Sequence, residues 1–178
     1  MLHDMSEILL DESKILKRVS ALAAEISRDY KDETPIIVGI LKGSFIFMSD
    51  LVRCLTISVQ VDFMQISSYG DSSKSSGIVR IKKDLDTNIE GKHVIIVEDI
   101  VDSGLTLKNL IEHLKARNPK SIKICALLDK PLAHQTEVKI DYVGFEVGNE
   151  FAVGYGLDYA EKYRNLPYIA ILKEEIYK

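Results

Sequence analysis

The sequence predicts an α/β fold in which helices flank a mostly parallel central sheet. Three apolar runs rich in β-branched residues, at 35–41, 93–97 and 121–128, have the character of strands covered on both faces. A polar turn and a helix-like stretch follow the first two runs, and this alternation is typical of βαβ units. The length of 178 residues fits one domain, so we expect a single domain over residues 1–178.

The first third of the chain is predicted to contain a helix before the first parallel strand. After a short apolar piece, Asp11 or Ser13 can cap a helix whose apolar residues recur at helical spacing and which ends near Tyr30. The run PIIVGIL is then the first strand of the sheet. A turn, KGS, separates it from a stretch with helical character, FIFMSDLVRCL.

The rest of the chain repeats the pattern of strand, turn and helix. The strand HVIIV at 93–97 precedes a polar turn and a helix over 107–116, and the strand SIKICALL follows at 121–128. The last predicted strand is PYIAIL at 167–172. Strand-like VDFMQI and IVRI flank a Ser- and Gly-rich stretch, SSYGDSSKSSG, which is too polar for a core and predicts a mobile surface loop.

Composition and charge exclude several classes of function. The 23 basic and 27 acidic residues give a net charge of −4, so the basic footprint of a nucleic-acid-binding protein is missing. No apolar run approaches the roughly 18 residues of a membrane span, and the N-terminus places acids where a signal peptide places bases. Cys54 and Cys125 lie among apolar neighbours without metal-ligand spacing and are predicted to be buried thiols. We expect a cytoplasmic protein without nucleic-acid or membrane partners.

The stretch VIIVEDIVDSGLTL carries the most chemistry. An apolar strand leads to Glu98 and Asp99, and residues 102–106 then form a turn into a helix. Two adjacent carboxylates can accept hydrogen bonds from a vicinal diol or hold a hydrated divalent cation. The turn supplies hydroxyl groups, a glycine and a helix N-terminus, which favours an anion. Each feature alone fits an ordinary N-cap or a solvated strand end, but their combination favours a site for a phosphorylated sugar.

Other phosphate-binding motifs are missing from the sequence. It has no GxxxxGK[ST], and Gly154-Tyr155-Gly156 lacks the third glycine of GxGxxG because Tyr159 occupies that place. NTPase and dinucleotide sites are therefore not expected.

The stretch VIIVEDIVDSGLTL resembles the phosphoribosyl diphosphate (PRPP) motif of the purine phosphoribosyltransferases, in their hypoxanthine-guanine branch. The resemblance extends over nearly the whole chain, because GILKGSF, VDFMQISSYG, LLDKP and DYVGFEVGNEFAVGYGLDYAEKYRNLPYI resemble family segments in the expected order. It implies the type I phosphoribosyltransferase fold, with a small hood formed by the N-terminal segment and residues 129–178 or so. It also implies a mobile lid at about 67–80 and assembly as a homodimer or homotetramer.

The resemblance implies a reaction of purine salvage. A 6-oxopurine base, hypoxanthine or guanine, displaces pyrophosphate from C1 of the ribose of PRPP with Mg²⁺ as the cofactor, and a nucleoside monophosphate, IMP or GMP, is formed. Since the transition state resembles an oxocarbenium ion, the protein must bind the 5′-phosphate, hold the ribose, stabilise the departing charge and exclude water.

The family's pattern assigns a role to each part of the PRPP motif. Glu98 and Asp99 engage the ribose hydroxyls, partly through magnesium and its water. Asp102 faces the purine and acts as the base or hydrogen-bond partner of its imidazole nitrogen; a helix cap is the alternative role. The 5′-phosphate is cradled by the rest of the turn, Ser103, Gly104, Leu105 and Thr106.

Pyrophosphate and the second magnesium ion are assigned to two other segments. Leu41, Lys42 and Gly43 bind pyrophosphate, and family members often have a non-proline cis peptide at the bond that corresponds to Leu41-Lys42, which the sequence leaves open. Arg164 binds pyrophosphate oxygens and Asp158, at the purine end, holds the metal. A solvated lysine and a surface salt bridge remain the alternatives for these charged residues.

The resemblance also implies the purine contacts and the lid. Lys130 donates to the exocyclic purine oxygen and selects 6-oxopurines over adenine, whose amino group is also a donor. Phe151 stacks on the purine, and the backbone of Ala152 lies near its C2 edge. Ser68 and Tyr69 belong to the lid, which excludes water during the reaction.

Two other functions remain open at this point. One is a regulator with the same fold that binds PRPP or a nucleotide and signals to RNA. The other is a transferase for xanthine or a pyrimidine.

Overall fold

A computed structural model describes residues 2–68 and 79–178. Its helices and strands form two sheets with helices packed against the larger one. Short 3₁₀ helices occur at Leu2–Asp4 and Pro131–Ala133. The other elements, in chain order, are β1 Met5–Leu10, α1 Glu12–Asp29, β2 Ile36–Leu41, α2 Phe45–Cys54, β3 Gln60–Ser68, β4 Val79–Lys83, β5 His93–Val101, α3 Leu105–Lys115, β6 Ser121–Asp129, β7 Tyr142–Glu146, β8 Ala152–Val153, β9 Ile169–Leu172 and α4 Glu174–Tyr177.

The central sheet has six strands in the order β4-β3-β2-β5-β6-β7. Strands β3, β2, β5, β6 and β7 run parallel to one another, and β4 runs antiparallel to β3 at one edge. The prediction of a mostly parallel sheet flanked by helices is confirmed. Because the parallel strands share one direction, their carboxyl ends meet along one edge, where open α/β sheets bind ligands.

Alternate residues of β2 and β5 enter different cores, which explains why these strands lack a polar face. Ile37 and Ile95 pack against α1 and α2 in one core. Ile36 and Val94 pack with the apolar residues of α3 in the other. A strand covered on both sides must be apolar at every position, as the continuous runs indicated.

The second sheet, here called the hood, draws its strands from both ends of the chain. Its order is β1-β9-β8, with β9 antiparallel to both neighbours. The Tyr163 hydroxyl donates to Asp4 Oδ2 at 3.0 Å, and the Lys173 amide donates to the Asp4 carbonyl at 2.9 Å. These bonds attach the N-terminal segment to the C-terminal part of the chain.

Several predicted boundaries differ from the observed ones. Helix α1 is capped by Asp11, whose Oδ1 accepts from the Lys14 amide at 2.8 Å, and not by Ser13. Strand β5 continues past residue 97 because it pairs with β6 as far as Val101 with Asp129. The last strand begins at Ile169 and lies in the hood. In the part of the chain that the structure describes, no helix is long and apolar enough to cross a membrane.

The prediction of two buried thiols is wrong for Cys54. This residue is exposed, whereas Cys125 is buried. Cys54 continues the stripe of Phe47 and Leu51 on α2, but the helix ends at Cys54, beyond the edge of the core. Cys125 lies in the centre of β6, and burial raises the pKa of its thiol.

We therefore expect Ellman's reagent to titrate one thiol in the native protein and two in the denatured protein. The thiolate is the reactive form, so a buried thiol with a raised pKa reacts only after unfolding. A Cys54→Ser variant should show no fast-reacting thiol. Equal reaction rates of the two cysteines in the native state would contradict the structure.

Candidate active site

The site lies where the carboxyl ends of β2 and β5 meet. The parallel register pairs Gly39 with Val97, so the turn after Leu41 comes beside Glu98 and Asp99. A cavity of about 230 Å³ opens at this edge of the sheet. It is lined by Ile40, Leu41, Gly43, Ile66, Glu98, Asp99, Ile100, Val101, Asp102, Ser103, Gly104, Thr106 and Leu107.

Gly43 sits in the closest-packed part of the site. A Cβ atom at this position would overlap the Asp99 carboxylate, and a Cβ atom at Gly156 would overlap the Gly43 carbonyl oxygen. Gly156 also has a φ of +101°, which side chains rarely adopt. The Leu41-Lys42 peptide bond is cis, which answers the question that the sequence left open. Three chain segments thus converge on Gly43.

Glu98 and Asp99 lie inside β5, not at its end; Glu98 is buried and Asp99 is half-buried. Burial, with a further contribution from the Asp99 charge, holds the pKa of Glu98 well above its usual range. Burial also raises the pKa of Asp99 to about 6, although the Ile100 amide donates to its Oδ1 at 2.9 Å. Both carboxylates line the cavity and can accept further hydrogen bonds there. A cation or hydroxyl donors in the cavity would favour their ionised forms.

The turn at 102–104 leads from β5 into α3. Gly104 has a φ of +78°, and Ser103 Oγ accepts from the Leu105 amide at 3.3 Å. Asp102 is exposed and receives no hydrogen bond from the described residues of α3, so it is not the helix cap. The turn therefore presents a carboxylate without a partner among the described residues, beside the N-terminus of an eleven-residue helix.

The segment 154–166 contributes the charged residues that the sequence assigned to pyrophosphate and metal. Arg164 donates to the Gly156 carbonyl at 2.7 Å and forms an ion pair of 2.8 Å with Asp158 Oδ1. Lys42 Nζ lies 3.0 Å from Glu161 Oε2. The structure thus brings Lys42, Arg164 and Asp158 together, and it adds Glu161, which the sequence reasoning missed.

The predicted purine contacts lie at the next strand end. The Lys130 amide donates to the Val101 carbonyl at 2.9 Å, which places Lys130 beside Asp102. Its side chain is buried, and Nζ donates to the Glu150 carbonyl at 3.1 Å, next to Phe151. These hydrogen bonds connect the lysine, the aromatic residue and the acidic turn.

Phe151 is held in place by two tyrosines that the sequence reasoning did not identify. Its ring stacks on Tyr177, with centroids 4.8 Å apart, and meets the edge of Tyr159 at 5.6 Å. Ala152 follows as the first residue of β8 and pairs with Ile171. The ring orientation of Phe151 thus depends on the C-terminal helix α4.

The structure describes only part of the predicted lid. Ser68 is the last residue of β3 and pairs with Val79. Tyr69 lies outside the described residues, so the lid stays a prediction.

The donor set of the site suits magnesium. In the described ranges, no three His, Cys, Asp or Glu side chains form a complete metal cage. Magnesium is usually bound by one or two carboxylates, with water and substrate phosphates completing its shell. Glu98 and Asp99 form such a pair, and Asp158 is a third carboxylate near Asp99. An acidic pair, a turn at a helix N-terminus and two cations together suit a substrate that carries hydroxyls and phosphates.

Comparisons with known proteins agree with this chemistry. The sequence matches the phosphoribosyl transferase domain family over residues 5–160. It is 52% identical over 178 residues to a hypoxanthine-guanine phosphoribosyltransferase of Bacillus subtilis, covering 100% of this chain and 99% of that protein. It is 49% identical to part of the bifunctional protein TilS/HprT of Listeria monocytogenes, with 99% of this chain and 27% of that protein covered.

A solved structure shares the fold of the whole chain. The crystal structure of a hypoxanthine phosphoribosyltransferase from Staphylococcus aureus matches with a TM-score of 0.97 and 46% identity, and the match covers 100% of this chain and 97% of that one.

The acidic pair predicts a pH dependence of stability. The pKa of Asp99 is about 6 in the folded protein against 3.8 as its ordinary value, so its contribution is complete below pH 4 and is lost as the pH rises through 6. Relative to an Asp99→Asn variant, we expect the ligand-free protein to lose about 3 kcal/mol of unfolding free energy between pH 3 and pH 8, since one pKa unit corresponds to about 1.36 kcal/mol. Urea unfolding in chelator measures this difference. Parallel pH profiles of the two proteins would contradict it.

Proposed function

The chain belongs to the phosphoribosyltransferase family, and from this premise we propose that it is a hypoxanthine-guanine phosphoribosyltransferase, a transferase of purine salvage. It joins hypoxanthine or guanine to PRPP and releases IMP or GMP and pyrophosphate. One observation carries the assignment: a single cavity is lined by Gly43, the acidic pair and four residues of the turn, Asp102, Ser103, Gly104 and Thr106.

The 5′-phosphate fits the turn between β5 and α3. The positive φ of Gly104 turns the backbone so that the chain enters α3 at Leu105, and the positive end of the helix dipole lies at this place. Ser103 and Thr106 add hydroxyl donors on either side. The phosphate therefore anchors the substrate at a fixed distance from Glu98 and Asp99.

The ribose and the metal fit the acidic pair. Glu98 and Asp99 would hold one magnesium ion, partly through water, and Asp158 a second. When bound, magnesium supplies positive charge against the leaving pyrophosphate. The two carboxylates accept hydrogen bonds from the ribose hydroxyls. Their negative charge lies close to the ribose ring, where positive charge develops in an oxocarbenium-like transition state.

Asp102 and Lys130 fit the two edges of a 6-oxopurine. The Asp102 carboxylate has no partner among the described residues and is free to hold the proton of the imidazole nitrogen as the new bond forms. Lys130 Nζ is a hydrogen-bond donor, so it can donate to the carbonyl oxygen of a 6-oxopurine but not to the amino group of adenine. Phe151 offers an aromatic face to the base, and the backbone of Ala152 lies at its C2 edge.

We also propose a homodimer or homotetramer in the cytoplasm. The support for assembly is Phe45, a large aromatic residue that is 44% exposed on α2. Sedimentation equilibrium of the wild type beside a Phe45→Glu variant tests this; a monomeric wild type would contradict it.

The reaction is tested with PRPP and magnesium, offering hypoxanthine, guanine, xanthine and adenine separately. We expect turnover of hypoxanthine and guanine, and a loss of at least about 100-fold in kcat/KM in an Asp102→Asn variant, because general acid-base catalysis contributes roughly 10²–10⁴. The variant should still bind PRPP.

The matched control is Asp32→Asn, an exposed aspartate before β2 at the opposite edge of the sheet. It should retain wild-type activity. Full activity of Asp102→Asn would remove this residue from the mechanism. PRPP binding without turnover of any base would favour a nucleotide-binding regulator.

A further inference from the structure

We propose that the Glu161 carboxylate occupies part of the pyrophosphate site, where it forms ion pairs with the cationic side chains, and that pyrophosphate displaces it on binding. This inference rests on the proposed function, in which Lys42 and Arg164 bind pyrophosphate. It assigns Glu161 a positioning role: it sets how tightly the product is held, without touching the reacting atoms.

The ion pairs of the segment 154–166 carry the proposal. Glu161 Oε2 lies 3.0 Å from Lys42 Nζ, and its Oε1 lies 3.6 Å from the Arg164 NH2 group. One carboxylate thus bridges the two cations, as two oxygens of a pyrophosphate would. The hydrogen bond from Lys42, together with its charge, holds the pKa of Glu161 below its usual range, so the bridge is ionised at neutral pH.

Arg164 has a donor left over in this arrangement. Its NH1 and NH2 groups have partners in Gly156, Asp158 and Glu161. Its Nε is buried and has no partner among the described residues. A buried donor without a partner is costly, so an additional acceptor in this place would be bound favourably. The Glu161 carboxylate therefore leaves one hydrogen-bond donor of Arg164 unsatisfied.

The backbone indicates that Glu161 is placed for its side chain. Tyr159 and Lys162 are joined by hydrogen bonds in both directions, at 3.3 and 3.0 Å, around a two-residue turn. Both central residues have positive φ, 51° at Ala160 and 61° at Glu161. Asn-Gly is the usual occupant of such a turn, because other residues are strained there. A glutamate at this point has no conformational advantage, whereas its carboxylate has two cationic partners.

The ion pair between Lys42 and Glu161 is weak enough for a ligand to break it. The side chains of Lys42 and Glu161 are 55% and 66% exposed, and exposed ion pairs contribute little to stability. Pyrophosphate offers more anionic oxygens than one carboxylate, so it can contact Lys42 and Arg164 together and displace the carboxylate from Lys42. After the reaction, the return of Glu161 to Lys42 competes with the product, so this residue limits product inhibition.

The test is calorimetric titration of pyrophosphate, in magnesium, into the full-length protein and three variants. We expect Glu161→Gln and Glu161→Asp to bind pyrophosphate about two- to fivefold more tightly than the wild type, the range that corresponds to opening one exposed ion pair. Asp keeps the charge and tolerates positive φ, but its side chain is one methylene shorter and cannot keep the contact with Lys42. Glu90→Gln, an exposed glutamate before β5, is the matched control and should bind like the wild type.

The outcomes are distinguishable. Tighter binding in Glu161→Gln alone would mean general charge repulsion and would overturn the proposal, as would unchanged or weaker binding in both variants. The titration needs no purine. Tighter binding in both variants therefore supports the exchange even if no base is turned over, and unchanged binding in an active enzyme refutes the exchange while the proposed function stands.

Discussion

The contact between the Gly43 backbone and the Asp99 carboxylate is the constraint on which the site depends. It exists because β2 and β5 pair in parallel register, and because neither Gly43 nor Gly156 has a Cβ to fill the space. A slip of one residue would turn Asp99 to the other face of the sheet. The register that builds the two cores therefore also brings together the acidic pair and the turn that follows β2.

The site has an acidic part and a cationic part, which differ in whether their charged groups are already paired. Glu98 is buried and Asp99 half-buried, neither forms an ion pair with a described residue, and desolvation raises the pKa of both. Lys42 and Arg164 are cations already paired with carboxylates of the same chain. The acidic part is costly, at about 1.36 kcal/mol per pKa unit, whereas an exposed pair contributes at most about 1 kcal/mol. Ligand binding therefore gains most free energy where it neutralises Glu98 and Asp99, and it loses little free energy by breaking the ion pairs of Lys42 and Arg164.

Sequence patterns predicted the parts of the molecule that are determined locally. The apolar runs predicted β2, β5 and β6, and the contiguous motif from Glu98 to Thr106 predicted the cavity wall, because strand, acids and turn follow one another in the chain. Two residues that act only through tertiary contacts, Glu161 and Tyr177, were missed. Glu161 gave only the signal of a charge three residues from both Asp158 and Arg164, and Tyr177 gave none, since its partner Phe151 lies in another part of the chain. The error for Cys54 had the same cause: helical spacing does not show where the core ends.

This difference explains why base preference is harder to read from the sequence than the sugar-phosphate chemistry. One connection, from β5 to α3, carries the acidic pair and the phosphate turn, so a single motif identifies both. The base edge is assembled from Lys130 after β6, Phe151 before β8 and Tyr177 near the C-terminus. Its geometry is set by the hood, which is held together by bonds such as that between Tyr163 and Asp4 from opposite ends of the chain. A change in either chain end can therefore alter the purine contacts without altering the PRPP motif.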